Sequence, residues 1–519
     1  MPRHNGLYEL LNSNNSPNSA QVASVQQAID GLSKRIVKLQ GQLKALEGQR
    51  RQHQAILSPI RRIPLEILGE IFALVLPDVL YDAARQMLMH LNLVCKSWRN
   101  ACLLAHQLWT GLCFKQLGDG DCARVASWFN RSGTLPRTLR YVPDCNCASE
   151  LLEDQEPCSL SNPELLRLLT QGPSLDHFAL MVTTLGCFRN WIVSINSAKE
   201  FLSGPFPWDT LKSFHLAISD EDQEWGEPED PSQSIFNHLP VVSSLSIALP
   251  ADYALGIEDD GEVEFFIPVK LLNQMTTFAI TYNWHGTKVF SLLEHFATLE
   301  NLTIAFDARC YVLDEQDPKL LGLAKSRLVL PKVREFHFRD SGRIPILKYL
   351  SMPALSTLDI DLGQYPDDDN GEEFGTILPG FLKASNASVS LQALRIAGTE
   401  VLPLDILAIL SNLLSLKKLT LDGVAFGDRL FNLDPLHPNH NLVPSLPALE
   451  HLQLLRLPKS YDHYVDFRYF EIAKRRVPCL LTMSYEYQRS LPSFHRYERD
   501  RLKELGVSLN VILHDDNIL

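Results

Sequence analysis

Residues 353–360, P-A-L-S-T-L-D-I, carry apolar side chains at Leu355, Leu358 and Ile360, and the same spacing returns in S-L-Q-A-L-R-I at 390–396 and S-L-K-K-L-T-L at 415–421. A strand turns alternate side chains to opposite faces, so the last two apolar residues share a buried face and the residue between them points out. The first apolar residue of the pattern falls at Leu175, Leu211, Val242, Met275, Leu299, Val333, Leu355, Leu391, Leu416 and Leu449. Roughly a dozen such matches arise by chance in a chain this rich in apolar residues. Context separates these from chance: Pro173, Pro240, Pro331, Pro353 and Pro447 each stand two residues before the first apolar position. Helical runs such as L-P-L-D-I-L-A-I-L-S-N-L-L-S-L lie between strands. The reading is a mixed α/β chain whose region 116–519 stacks helix, loop and short parallel strand units side by side.

Steps between successive first positions are 36, 31, 33, 24, 34, 22, 36, 25 and 33 residues. They resemble the roughly 20–29-residue period of leucine-rich repeats, in irregular form. That resemblance implies an irregular α/β solenoid whose strand face binds a partner. Regular repeats of the family place Asn or Cys after the strand, where this chain has Ser219, Asp307, Asp340, Gly363 and Gly398. Acidic insertions at 219–230, 256–264 and 367–373 are expected to be exposed loops.

A chain of 519 residues exceeds what one compact core supports and requires several domains or a repeat array. Residues 1–62 hold nine Lys/Arg against three Asp/Glu, leaving 39 against 58 in the rest. This acidic body argues against nucleic acid as the main ligand, because phosphate recognition needs clustered cations. The apolar stretch Ile71–Val94 is broken by Pro77, Asp78, Asp82 and Arg85, so no membrane span is expected. Ten cysteines are scattered without a C-x-x-C pair, and Cys145, Cys147 and Cys158 lack zinc-ligand spacing. Free thiols, no metal, no cofactor and a reducing compartment, cytoplasm or nucleus, are the expectation.

Ahead of the repeats, residues 1–20 read as a disordered leader and 21–57 as a coiled-coil helix. Val22, Ile29, Ile36 and Leu43 occupy a positions, and Val25, Leu32, Leu39 and Leu46 occupy d positions, of four heptads. Largely β-branched a with leucine-rich d suits a parallel homodimer through 22–46. A helix folded back on its own neighbouring domain satisfies the same spacing, and Gly31, Gly41 and Gly48 weaken it as a free helix.

Residues 58–115 read as short helices. Pro64 and Glu66 suit a helix start; Ile67, Leu68, Ile71, Phe72 and Val75 form an apolar face too broad to be solvated. A second run carries Leu88, Leu91, Val94, Cys95 and Trp98, and a third ends at Leu108 and Trp109. The string I-R-R-I-P-L-E-I-L-G-E-I-F-A-L-V-L, then L-N-L-V-C-K-S-W-R-N-A-C-L, then H-Q-L-W, resembles the F-box pattern, with a longer L-P-D-V-L-Y-D-A-A-R-Q-M between its first two helices. The helix before it and the leucine-rich region after it are similar to F-box proteins of mushroom-forming fungi. The resemblance implies a non-catalytic, substrate-recognition subunit that docks on the Skp-type adaptor of a Skp–cullin–F-box ubiquitin ligase and captures an unknown target protein. It assigns adaptor contact to Pro64, Ile67, Leu68, Ile71, Phe72, Val94, Cys95, Trp98 and Trp109, of which about half should pack inside the module. Aspartate at Ile67 and Leu68 is expected to abolish docking. A coiled-coil and repeat scaffold without ligase association is the alternative.

Hydrolase, nucleotide-binding and metalloprotease motifs do not occur. The outward strand positions are His215, Ser246, Ala279, Thr303, His337, Asp359, Arg395, Thr420 and Gln453. Target recognition is assigned to His337, Asp359 and Arg395, where alanine is expected to leave stability nearly unchanged.

Overall fold

A computed structural model describes residues 10–13, 15–143, 158–201, 206–218, 230–249, 266–282, 287–306, 316–339, 344–363, 370–399, 401, 403–425, 446–458, 470, 477–485 and 496–512. The chain divides into two compact units, residues 1–76 with 86–105, and residues 77–85 with 106–519.

The first unit begins with a long helix, α1 (Ser19–Ile56). Its start is encoded by a reciprocal capping box: Asn18 Oδ1 accepts from the Gln21 N–H and Gln21 Oε1 accepts from the Asn18 N–H, both at 2.9 Å. The helix therefore starts inside the stretch expected to be a leader, of which residues 1–9 and 14 lie outside the described residues. Three shorter helices follow, α2 (Leu65–Val75), α3 (Asp82–Val94) and α4 (Lys96–Leu104). Pro64 is the extended residue that caps α2 rather than part of its first turn. The run expected to form one second helix is two, because Cys95 is fully extended (φ −163°, ψ 170°) between α3 and α4. The apolar stripe continues across that break, so residue spacing alone does not reveal it.

The second unit is built on one 14-stranded sheet in which every neighbouring pair is parallel. Its strands are β1 (Gly111–Phe114), β2 (Thr138–Tyr141), β3 (His177–Val182), β4 (Ser213–Ile218), β5 (Ser244–Ala248), β6 (Thr277–Thr281), β7 (Asn301–Ala305), β9 (Glu335–Arg339), β11 (Thr357–Asp361), β12 (Ala393–Ala397), β13 (Lys418–Asp422), β14 (His451–Leu457), β15 (Cys479–Tyr485) and β16 (Val507–Val511). They lie side by side in chain order; β8 (Leu328–Val329) and β10 (Leu350–Ser351) pair separately. In all ten motif instances the last two apolar positions fall on a strand of this sheet between β3 and β14 and the first lies two residues ahead of it, with all three positions buried.

Four strands escaped the motif, and the register says why. The residue three before the second core position is Trp109 for β1, Pro136 for β2, Pro478 for β15 and Gly506 for β16, none of them Leu, Ile, Val, Met or Phe. At the N-terminal ends of the strands, one backbone carbonyl accepts two N–H groups from the next strand's lead-in. Arg137, Asp176, Lys212, Ser243, Thr276, Glu300, Arg334, Ser356, Gln392 and Lys417 form this unbroken series. Backbone turning into each strand is thereby satisfied without a side-chain ladder. On leaving β11, β12 and β13 the chain turns at Gly363, Gly398 and Gly423, all at positive φ, where Cβ-bearing residues are strained.

The longer segment between the first two motif helices has a place in this unit. Leu80 donates its N–H to the Gly111 carbonyl and accepts the Cys113 N–H, bridging the free edge of β1. Gly111 is required there, since a Cβ would come within 2.2 Å of the Asp78 oxygen. Of the acidic insertions, 256–264 and 219–229 lie outside the described residues. The third is corrected in part: residues 370–373 belong to the helix Asn370–Ala384 rather than to a loop.

Candidate protein-interaction surfaces

On α2 two apolar stripes run one residue out of phase. Leu68 and Phe72 turn inward against α4, Phe72 meeting the Trp98 ring at 5.1 Å between centroids, while Ala101 and Cys102 are buried opposite them. Helix spacing then forces Ile67, Ile71 and Leu74 onto the other side. They stay exposed, Ile67 at 53% and Leu74 at 87%. Leu93, Val94 and Cys95 at the end of α3 are exposed as well. A module this small that leaves so many large apolar groups in water has the composition of an interface core.

Of the nine residues assigned to adaptor contact, Pro64, Ile67, Ile71, Val94 and Cys95 are exposed and Trp98 is half-buried. Leu68, Phe72 and Trp109 are buried within the chain and offer no surface. Leu74 and Leu93, exposed beside them, were not among the nine. Leu74 follows Ile67 and Ile71 at i+7 and i+3, so its face was readable from periodicity, whereas Leu93 needed the break at Cys95 to be known.

Trp109 belongs to the second unit altogether. It is 1% exposed, packs on Trp128 with ring centroids 4.6 Å apart, and lies under the Arg131 guanidinium at 4.5 Å. The segment 106–114, expected to close the helical module, instead opens the sheet, and Trp109 is a core residue of the 3-10 turn His106–Trp109 that leads into its first strand. Trp109→Phe is expected to lower the stability of the sheet unit by about 1–3 kcal/mol through lost ring area and cation contact. Urea unfolding of the variant and the unaltered chain checks it.

The outward face of the sheet is the second surface. Strand pairing puts Cys113, Arg140, Ala179, His215, Ser246, Ala279, Thr303, His337, Asp359, Arg395, Thr420, Gln453, Thr482 and Asn510 in one row across all fourteen strands. Over β3 to β7 the face is small, with Ala179, Ala217, Ser246, Ala248, Ala279 and Ala305. There His215 Nδ1 lies 2.8 Å from Ser246 Oγ, and burial, then the Arg140 charge, pulls the imidazole below its ordinary value.

From β9 to β14 the face is charged. His337 Nδ1 lies 3.2 Å from Asp359 Oδ2, and Arg339 donates to the same oxygen at 3.2 Å. Arg395 donates to Asp359 Oδ1 at 2.9 Å, Asp361 Oδ2 at 3.0 Å and Asp422 Oδ2 at 2.9 Å, and Arg456 closes the chain on Asp422. Arg456 sits at φ +53° in a bulge of β14, which aims its guanidinium back at Asp422. Burial alone would raise the Asp359 carboxyl, but hydrogen bonds from His337 and Arg395 and the charge of Arg339 outweigh it and hold the group down to about 2. Asp422 is likewise held below its usual range, burial being overcome by Arg456 and Arg395, while its carboxylate and that of Asp359 raise the guanidinium of Arg395.

His337, Asp359 and Arg395 are therefore on the expected face but are not independent outward groups. They are joined through Asp359, so alanine at all three removes a connected group rather than three separate ones, and a loss of stability is the revised expectation. The residues that complete the network, Arg339, Asp361, Asp422 and Arg456, sit two or three positions further along their strands and needed the register to be found.

Among the described residues no group of metal-ligating side chains occurs, and no helix is long and apolar enough to cross a membrane. Cys145 and Cys147 lie outside the described residues; the Cys158 thiol lies beside Cys187 and is raised by burial. No family model matches the chain, and no curated protein compared with it is similar.

Proposed function

We propose that this chain is the substrate-recognition subunit of a Skp–cullin–F-box type ubiquitin ligase, a non-catalytic protein of the cytoplasm or nucleus. One observation carries the reading. The positions that match the F-box pattern split into an inner stripe that holds α2 on α4 and an outer stripe, Ile67 and Ile71 continued by Leu74, left in water. Apolar groups of that size on a solvated face favour a partner with a complementary apolar groove.

The parallel sheet supplies the second half of the reading, an irregular leucine-rich-repeat solenoid whose outward strand face takes the target. A scaffold of this kind keeps its architecture in the buried positions and leaves the outward row free to vary. The charged patch around Asp359 and Arg395 is held rigid by its own ion pairs, so it offers a target a pre-arranged surface rather than loose side chains.

Mixing the purified chain with a purified Skp-type adaptor tests the proposal. A stoichiometric complex is expected, and Leu74→Ala should weaken it about ten- to thirty-fold, as truncation of a central apolar anchor does. Absence of a complex at micromolar concentration overturns it.

A further inference from the structure

We infer that α1 pairs with a second copy of this chain as a parallel, in-register two-stranded coiled coil. The helix is 38 residues long, and seven of its eight seam residues, Val22, Ile29, Leu32, Ile36, Leu39, Leu43 and Leu46, are between 49% and 62% exposed along it, with Val25 half-buried. A helix folded back on its own chain would hide that seam. In water a lone helix draws its stability from packing of its apolar face, so an uncovered seam of this length needs an occupant.

The flanking residues say which occupant fits. In a parallel pair each g position meets the e position of the partner's next heptad. The contacts are then Gln21 with Gln26, Ala28 with Ser33, Arg35 with Gln40, Gln42 with Glu47 and Gln49 with Gln54. No like charges meet, and amides face amides or a single charge, so the flank is compatible with itself. Antiparallel pairing of the same seam, a against d around its midpoint, places Arg35 opposite Arg35 of the second copy, and like charges there disfavour it. β-Branched residues at three of the four a positions and leucine at three of the four d positions select the parallel two-stranded form.

The glycines do not count against it. Gly31 falls at a c position and Gly41 and Gly48 at f positions, all off the seam, and a Cβ added at any of them meets nothing within 4 Å. Past Leu46 the next a and d residues are Arg50 and His53, so the apolar seam ends there. Because α1 ends at Ile56, eight residues before Pro64, parallel pairing carries two copies of the exposed α2 stripe at one end of the coil. A bivalent subunit gains avidity for any target or assembly that offers two sites.

Light scattering on the purified full-length chain, with no adaptor present, should give twice the mass of one chain at micromolar concentration. Ile36→Lys puts two cations at a central a layer and should halve that mass while adaptor capture by the resulting monomer is retained. Should that variant lose helix, the combined Gly41→Ala and Gly48→Ala variant serves instead, expected to tighten the dimer about ten-fold or more because alanine favours helix about five-fold over glycine at each position. Under mild oxidation Val22→Cys should form a dimer linked through residue 22, located by peptide mapping because the chain has ten other cysteines, as only parallel, in-register pairing juxtaposes the two copies of residue 22. A single-chain mass for the unaltered protein, or a mass other than twice it, overturns the inference whatever the adaptor does. So does failure of the Val22→Cys cross-link.

Discussion

Arg395→Ala is expected to destabilise the sheet unit by about 3 kcal/mol, read as a fall in the urea midpoint at unchanged slope. Arg395, on β12, donates to three carboxylates on the two flanking strands, Asp359 and Asp361 on β11 and Asp422 on β13, and all three lose a partner when it is removed. Asp359 keeps only 12% of its side chain exposed, so removing Arg395 leaves its Oδ1 without its partner where water cannot reach freely, while His337 and Arg339 still hold Oδ2. The figure lies at the low end of the range for breaking a buried pair because 30% of the Arg395 side chain is solvated, which screens part of the interaction. A loss below about 1 kcal/mol would place the network among ordinary surface ion pairs.

The same network sets an acid limit. Asp359 has its folded-state value depressed to about 2, whereas an unfolded aspartate titrates near 3.9. A depressed carboxyl contributes stability that is fully present above the unfolded value and is lost as pH falls toward the folded one. Between about pH 4 and pH 2 the unaltered chain should therefore lose about 2 kcal/mol that Asp359→Asn, which cannot ionise, does not lose. Parallel unfolding curves for the two proteins at pH 5 and pH 2.5 check the sign.

How far the amino-acid order reveals this molecule depends on whether a feature is local. The buried pair Leu358 and Ile360 with Leu355 ahead of it is local, and all ten such triplets mark real strands. Trp109, Pro136, Pro478 and Gly506 hold the same place in four more strands but differ in residue type, since an end strand or a tight lead-in relaxes the demand for an aliphatic side chain. The face of His337, Asp359 and Arg395 follows from alternation; their mutual ion pairs do not, because they depend on which strands are neighbours and in what register. Cys95 breaks a helix with neither glycine nor proline to mark it. The exposed and buried stripes of α2 were legible as one broad apolar face, and only the position of α4 divides it.

That division predicts two variants with the same functional loss and different causes. Gly69 lies in the middle of α2 where a Cβ would come within 2.9 Å of the Ala105 Cβ and 3.2 Å of the Ala101 oxygen, so the two helices touch almost backbone to backbone. Valine there must push α4 away, at a cost of about 3 kcal/mol or more, and a module that buries little else cannot absorb it. Gly69→Val should lose amide-exchange protection in α2 and α4, keep it in the sheet, and fail to capture the adaptor. Ile67→Asp with Leu74→Asp should keep protection everywhere, because both side chains are already in water, yet weaken adaptor capture at least a hundred-fold, since each carboxylate would be desolvated on docking. Leu68, only 1% exposed, is unsuitable for that second test: aspartate at Leu68 would unfold the module and confuse packing with contact. If the Ile67 and Leu74 variant is folded and still captures the adaptor at full strength, the outer stripe is not the docking face and the ligase reading loses its support.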